Sequence, residues 1–114
     1  MPSPTEVIDG QVDAYRDRDL DRFLSFYADD AKILDPAGRP IMVGLAELRK
    51  QYGESFRANP TLRVEIANRI TVGDFVIDEE HLAGLGDPTA PDSLTAVAIY
   101  QVTDGKITQV MLLR

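Results

Sequence analysis

The stretch Asp19-Leu20-Asp21-Arg22-Phe23-Leu24-Ser25-Phe26-Tyr27-Ala28-Asp29-Asp30-Ala31-Lys32-Ile33-Leu34-Asp35-Pro36-Ala37-Gly38 changes from a helical period to an extended one. Asp19 is placed to cap a short helix, in which Leu20, Phe23, Leu24 and Tyr27 make one apolar stripe. Ala31 to Asp35 is too short for a helix and runs into Pro36, whose ring pushes the preceding residue toward extended geometry. The prediction is a short strand that enters a turn, with Asp35 at the strand end.

Before this stretch, Ser3-Pro4-Thr5-Glu6 carries the marks of a helix start: a capping hydroxyl, a proline at the first helical position and a glutamate three residues after the cap. Ile8, Val12 and Tyr15 continue at helical spacing to about Arg16 or Arg18. After it, Gly44 precedes a third helix with Leu45, Leu48, Tyr52 and Phe56 on one face, ended by Asn59-Pro60. Four segments rich in Val, Ile, Thr and Leu follow, at 62–72, 75–83, 94–102 and 106–113. Gly73-Asp74, the loop from Gly84 to Asp92 and Asp104-Gly105 separate them as hairpin connections. Helices first and antiparallel strands afterwards predict a single α+β domain over 1–114, with three helices packed on one face of a curved sheet. In the third of these strands Ala96, Ala98, Tyr100 and Val102 point one way, and Val97 and Ile99 the other. Three helices cover one face only, so the outer face is expected to be buried in a homodimer.

Composition narrows the chemistry. The chain has 114 residues, 44% of them hydrophobic, which is enough for one core. A net charge of -7 is the wrong sign for neutralising phosphates, so nucleic acid and membrane partners are not expected. With no cysteine and only His81, thiolate zinc sites, disulfides, thiol nucleophiles and histidine-rich metal sites are excluded; no metal or cofactor is expected. The first residues lack a basic and apolar leader pattern, and no stretch of about 18 apolar residues occurs. A soluble, cytoplasmic protein is the expectation.

Asp35 is the first candidate for chemistry, because a carboxylate set among Ile33, Leu34 and Pro36 could have its pKa raised by an apolar pocket. The same position also suits an Asp that caps its own turn. Glu79, Glu80 and His81 interrupt an apolar strand; parity with Ile77 favours Glu79 and His81 as the pair facing a cavity, and a solvent-exposed edge explains them equally well. Asp78 is alternatively the partner of Arg69. The run Asp9, Asp13, Asp17, Asp19, Asp21 alternates with Arg16, Arg18 and Arg22 and reads as a solvated helix face. Tyr15, Tyr27, Tyr52 and Tyr100 fall at apolar positions, where the ring packs and the hydroxyl reaches a boundary. There is no phosphate-binding glycine loop and no serine elbow.

The segment from Asp19 to Ala31, continued by Ile33-Leu34-Asp35-Pro36-Ala37-Gly38 to Gly44, resembles the nuclear transport factor 2-like superfamily, within it the SnoaL-like and ketosteroid isomerase-related bacterial proteins. Asn68-Arg69-Ile70, Val76-Ile77-Asp78 and Ala96-Val97-Ala98-Ile99-Tyr100 also look like a bacterial subfamily of it. The resemblance implies a cone of helices and concave sheet around a deep pocket, dimerised through the outer sheet face. In the isomerase, an Asp at the position of Asp35 moves a proton between carbons beside a ketone, while a Tyr and a protonated Asp hold the enolate oxygen. By position the Tyr falls at Gln11, with Tyr15 one turn further on, and the protonated Asp falls near Ala98. Tyr27 and Tyr52 coincide with the isomerase's supporting tyrosines. Two readings stay open: an isomerase-like enzyme for a small apolar ketone, with Asp35 as base and Gln11, Tyr15, Tyr27 or Glu79 orienting it, or a non-catalytic pocket or interaction protein. Tyr52, His81, Ala98 and Tyr100 complete the candidate ligand-binding set. Hydrolase or dehydratase chemistry, which the fold also hosts, would have little of the usual His-Asp arrangement with His81 alone.

Overall fold

The computed structural model describes residues 1–114. Three helices, α1 (Pro4–Asp17), α2 (Leu20–Ser25) and α3 (Leu45–Ala58), pack on a six-stranded sheet. Its strands are β1 (Tyr27–Leu34), β2 (Pro40–Val43), β3 (Arg63–Val72), β4 (Phe75–Ala83), β5 (Ser93–Thr103) and β6 (Lys106–Leu113), in the order β2-β1-β6-β5-β4-β3. Only β1 and β6 pair in parallel; the α+β class and the mostly antiparallel sheet follow the sequence reading.

The start of α1 is set by a reciprocal cap: Ser3 Oγ accepts the Glu6 N–H at 3.2 Å, and Glu6 Oε1 accepts the Ser3 N–H at 3.1 Å. Its apolar stripe, Val7, Ile8, Val12 and Ala14, is buried against the sheet. Beyond its end, the Arg18 guanidinium donates to the Asn59 and Leu62 carbonyls at 3.0 and 2.6 Å, tying α1 to the connection between α3 and β3. The short α2 buries Phe23 and Leu24 and stops at Ser25, so Tyr27 opens β1 instead of extending the helical stripe. Pro40–Val43 forms an edge strand that the sequence pattern did not mark, three of its four residues being exposed.

One core of 19 buried residues joins helices and sheet. Inner-face residues of the strands, among them Val76, Ala96, Val102, Ile107 and Val110, form its floor. Irregular register bends the sheet, and one such bulge lies between Ile66 and Asn68 of β3, where Ala67 is the extra residue opposite β4. Before it, Val64 is buried opposite Leu82; after it, Arg69 is opposite buried Asp78 and Ile70 opposite Ile77 on the outer face. No helix is long and apolar enough to cross a membrane.

Candidate functional site

Where α1, α2 and α3 meet the concave face, the side chains do not close completely and leave a cavity of about 40 Å³. Gln11 and Tyr15 enter from α1, Tyr52 from α3, Tyr27 from β1, Tyr100 from β5 and Glu80 from β4. Gln11 lies one turn before Tyr15 on α1, so both project toward the sheet. The rings pack in tilted pairs around Phe23: its centroid is 4.7 Å from Tyr52, 5.1 Å from Tyr27 and 5.9 Å from Tyr15. At the cavity's outer end Tyr15, Tyr52, Leu112 and Arg114 also border a second, wider groove of about 360 Å³, which continues over Pro36, Ile41 and Met42. A narrow aromatic throat thus shares a wall with a broader surface groove.

Inside the throat the polar groups are linked. Tyr27 Oη donates to Gln11 Oε1 at 2.7 Å, and both residues are buried. Burial pushes the phenols of Tyr15, Tyr27, Tyr52 and Tyr100 above the ordinary tyrosine range, so all four stay protonated and each keeps an O–H that can donate. Glu80 behaves differently from an exposed carboxylate. Burial, reinforced by the charge of Asp78, pushes its carboxyl up to about 7, against the opposing pull of Arg114 and of the Tyr100 hydroxyl. A group that gains and loses its proton near neutrality, in a cavity lined by phenolic donors, is equipped for acid-base work.

Of the residues singled out from the sequence, Gln11, Tyr15, Tyr27, Tyr52 and Tyr100 share this throat. Ala98 does not: it is fully buried on the inner face of β5, opposite Asp78, in the core behind the cavity. Glu79 and His81 do not face it either. They lie on the outer face of β4 with about half of each side chain exposed, His81 Nε2 standing 3.4 Å from Glu79 Oε2. Parity with Ile77 pointed to the wrong face because β4 is apolar on both sides; Val76 and Leu82, buried and of the same parity as Glu80, mark the inner one. That pair was the available signal for Glu80, the acid the sequence reading passed over.

Asp35 borders the outer groove and not the throat. Its Oδ1 accepts the N–H groups of Ala37 and Arg39, each at 2.9 Å, and its Oδ2 meets Arg39 Nε at 3.2 Å. The Arg39 amide first, with the Ala37 amide and the Arg39 charge, holds this carboxyl below its usual range. The raised pKa expected of Asp35 is found at Glu80 instead. The Asp78 and Arg69 pairing expected from the sequence is present, with Arg69 Nε 2.6 Å from Asp78 Oδ1. No group of His, Asp or Glu side chains is gathered to hold a metal ion.

Comparison with known proteins agrees with this architecture. A protein of cystatin fold from Novosphingobium aromaticivorans superposes with a TM-score of 0.90 at 26% identity, covering 100% of both chains. A protein of ketosteroid isomerase-like fold from Catenulispora acidiphila, in complex with trimethylamine, gives 0.80 at 16% identity, over 99% of this chain and 87% of that one. TerC, co-crystallised with polyporic acid, gives 0.82 at 21% identity, over 96% of this chain and 89% of that one. No curated protein matches in sequence. The model of the SnoaL-like domain matches residues 8–110, nearly the whole chain. The chain belongs to the SnoaL-like domain family.

Proposed function

We propose that the protein binds a small, largely apolar β,γ-unsaturated ketone and moves a proton from its α-carbon to its γ-carbon, with Glu80 taking and returning that proton. The observation that carries this reading is the carboxyl of Glu80, poised at about 7 inside an aromatic throat beside protonated tyrosines. As carboxylate, Glu80 takes a proton from the carbon next to the carbonyl; the C–H pair moves into the ring of conjugation and negative charge builds on oxygen. The phenols, with Gln11 held in place by Tyr27, supply hydrogen bonds to that oxygen. Protonated Glu80 then delivers the same proton to the γ-carbon of the dienolate, the electrons on oxygen return to re-form the carbonyl, the double bond moves into conjugation with it, and Glu80 is a carboxylate again.

The engagement of both Asp35 oxygens by its turn and by Arg39 supports giving the base role to Glu80. The throat's volume of about 40 Å³ suits a head group of roughly three water-sized atoms, so the body of the substrate would lie in the adjoining groove. The outer face supports a homodimer: Ile70, Ile77, Ile99 and Met111 stand in register across β3, β4, β5 and β6, with Val72 and Phe75 exposed beside them.

The test is conversion of a β,γ-unsaturated ketone to its conjugated isomer, followed with a 3-ketosteroid and with a single-ring analogue. Wild type should turn over at least one of them; Glu80→Gln should lose about 100-fold or more, and Asp35→Asn should stay within a few-fold. Background rates for wild type on both would leave the non-catalytic binding reading. A large loss in Asp35→Asn alone would return the base role to Asp35.

A further inference from the structure

Arg69 is drawn inward by a single irregularity of β3. The extra residue at Ala67 shifts the alternation of the strand, and Arg69 becomes the register partner of Asp78 on the inner face of β4. The pair is two-pronged: Arg69 Nε lies 2.6 Å from Asp78 Oδ1 and Nη2 lies 2.9 Å from Oδ2. The third nitrogen, Nη1, reaches Asp9 Oδ1 on α1 at 2.6 Å. Asp78 is wholly inaccessible, whereas Asp9 is largely exposed. Asp78 and Glu80 are two residues apart on one strand and therefore share a face, so the buried ion pair stands directly behind the wall that carries Glu80. The Arg69 bridge also fixes α1, which bears Gln11 and Tyr15, against the strand that bears Glu80.

We propose that Asp78 and Arg69 are positioning residues for Glu80: the charge of Asp78, anchored and partly neutralised by Arg69, sets how tightly the Glu80 carboxyl holds its proton. The inference rests on the reading of Glu80 as the proton-transfer group. The other groups facing Glu80 are Tyr15 from α1, Tyr27 from β1, Tyr52 from α3, Tyr100 from β5 and Arg114 beyond β6. The tyrosines stay neutral through the range in which Glu80 titrates. Buried Asp78 and half-buried Arg69 are thus the pair whose separate removal changes the field at Glu80 in opposite senses. Without Asp78, Glu80 loses a like charge while Arg69, still held by Asp9, remains, which favours the carboxylate; without Arg69, Asp78 has no cation beside it and disfavours that carboxylate.

The experiment follows the Glu80 carboxyl by carbon-13 NMR in the full chain, glutamate-labelled and assigned with Glu80→Gln, across pH 4 to 9. Asp78→Asn should lower the titration midpoint by roughly one pH unit, and Arg69→Gln should raise it by a similar amount. Arg69→Lys, which keeps the charge and loses the two-pronged geometry, should fall between wild type and Arg69→Gln. Loss of packing would weaken all three proteins in one direction and cannot produce shifts of opposite sign. Shifts of the same sign, or midpoints unchanged in the variants, overturn the proposal. If Asp78→Asn does not fold, the order wild type, Arg69→Lys, Arg69→Gln decides it alone. Midpoints that move as described in a protein without isomerase activity would refute the proposed function and leave the positioning role standing.

Discussion

Glu80→Gln should make the protein more stable while removing its proposed chemistry, and by an amount that depends on pH. In the folded chain the carboxyl is raised from 4.5 to about 7, mainly by burial. Between those two values the folded state binds more protons than the unfolded state, so this group's contribution to stability falls as pH rises through the window. At about 1.4 kcal/mol per pH unit, the separation of midpoints corresponds to about 3 kcal/mol once the pH is well above 7. Glutamine is nearly isosteric with the protonated acid and never carries the charge. The variant should therefore exceed wild type by less than about 1 kcal/mol at pH 5 and by about 3 kcal/mol at pH 8. Urea denaturation at constant ionic strength and one protein concentration, at four pH values from 5 to 8, reads the gap directly. A gap that does not widen with pH, or a variant weaker than wild type at pH 8, would refute the argument that Glu80 is held in a desolvated throat.

Tyr27→Phe removes the 2.7 Å hydrogen bond to buried Gln11 and strands its carbonyl oxygen, which should cost about 1 to 2 kcal/mol in urea denaturation; an unchanged midpoint would contradict that bond. Ile99→Lys places a charge in the centre of the apolar row on the outer face and should convert dimers to monomers in sedimentation velocity without loss of helical circular dichroism. A wild type that sediments as a monomer throughout the micromolar range would end the dimer proposal. Gly84 has φ +76° and its missing Cβ would run into the Thr61 carbonyl, so Gly84→Ala should lower stability by about 1 to 3 kcal/mol; equal thermal midpoints would show that the loop can yield.

Local signals carried much of the fold. Ser3-Pro4-Thr5-Glu6 marked the start of α1 because a cap is made by neighbours in sequence, and the Gly73-Asp74 and Asp104-Gly105 turns marked the hairpins for the same reason. The boundary at Tyr27 was not legible, since α2 ends at Ser25 without Gly or Pro and Tyr27 keeps the helical spacing of Phe23 and Leu24. β2 was hidden because an edge strand of four mostly exposed residues has no apolar alternation to read. In the site, the helical residues Gln11, Tyr15 and Tyr52 were found through position, whereas Glu80 was missed and Glu79 and His81 chosen in its place. The cause is specific to strands: a residue's face depends on register with neighbours distant in sequence, and an error of one residue exchanges the two sides.

The extra residue at Ala67 works as a half-period phase shift in the strand that contains it. With it, an arginine turns toward the molecular interior and the next residue, Ile70, turns toward whatever lies outside. Were the same residues to pair without the bulge, Ala67 would stand opposite Glu79, Asn68 opposite Asp78 and Arg69 opposite Ile77, which would send a cation into the middle of the apolar row. One bulge therefore sets both which side chain of β3 meets the interior charge and which joins the outer face.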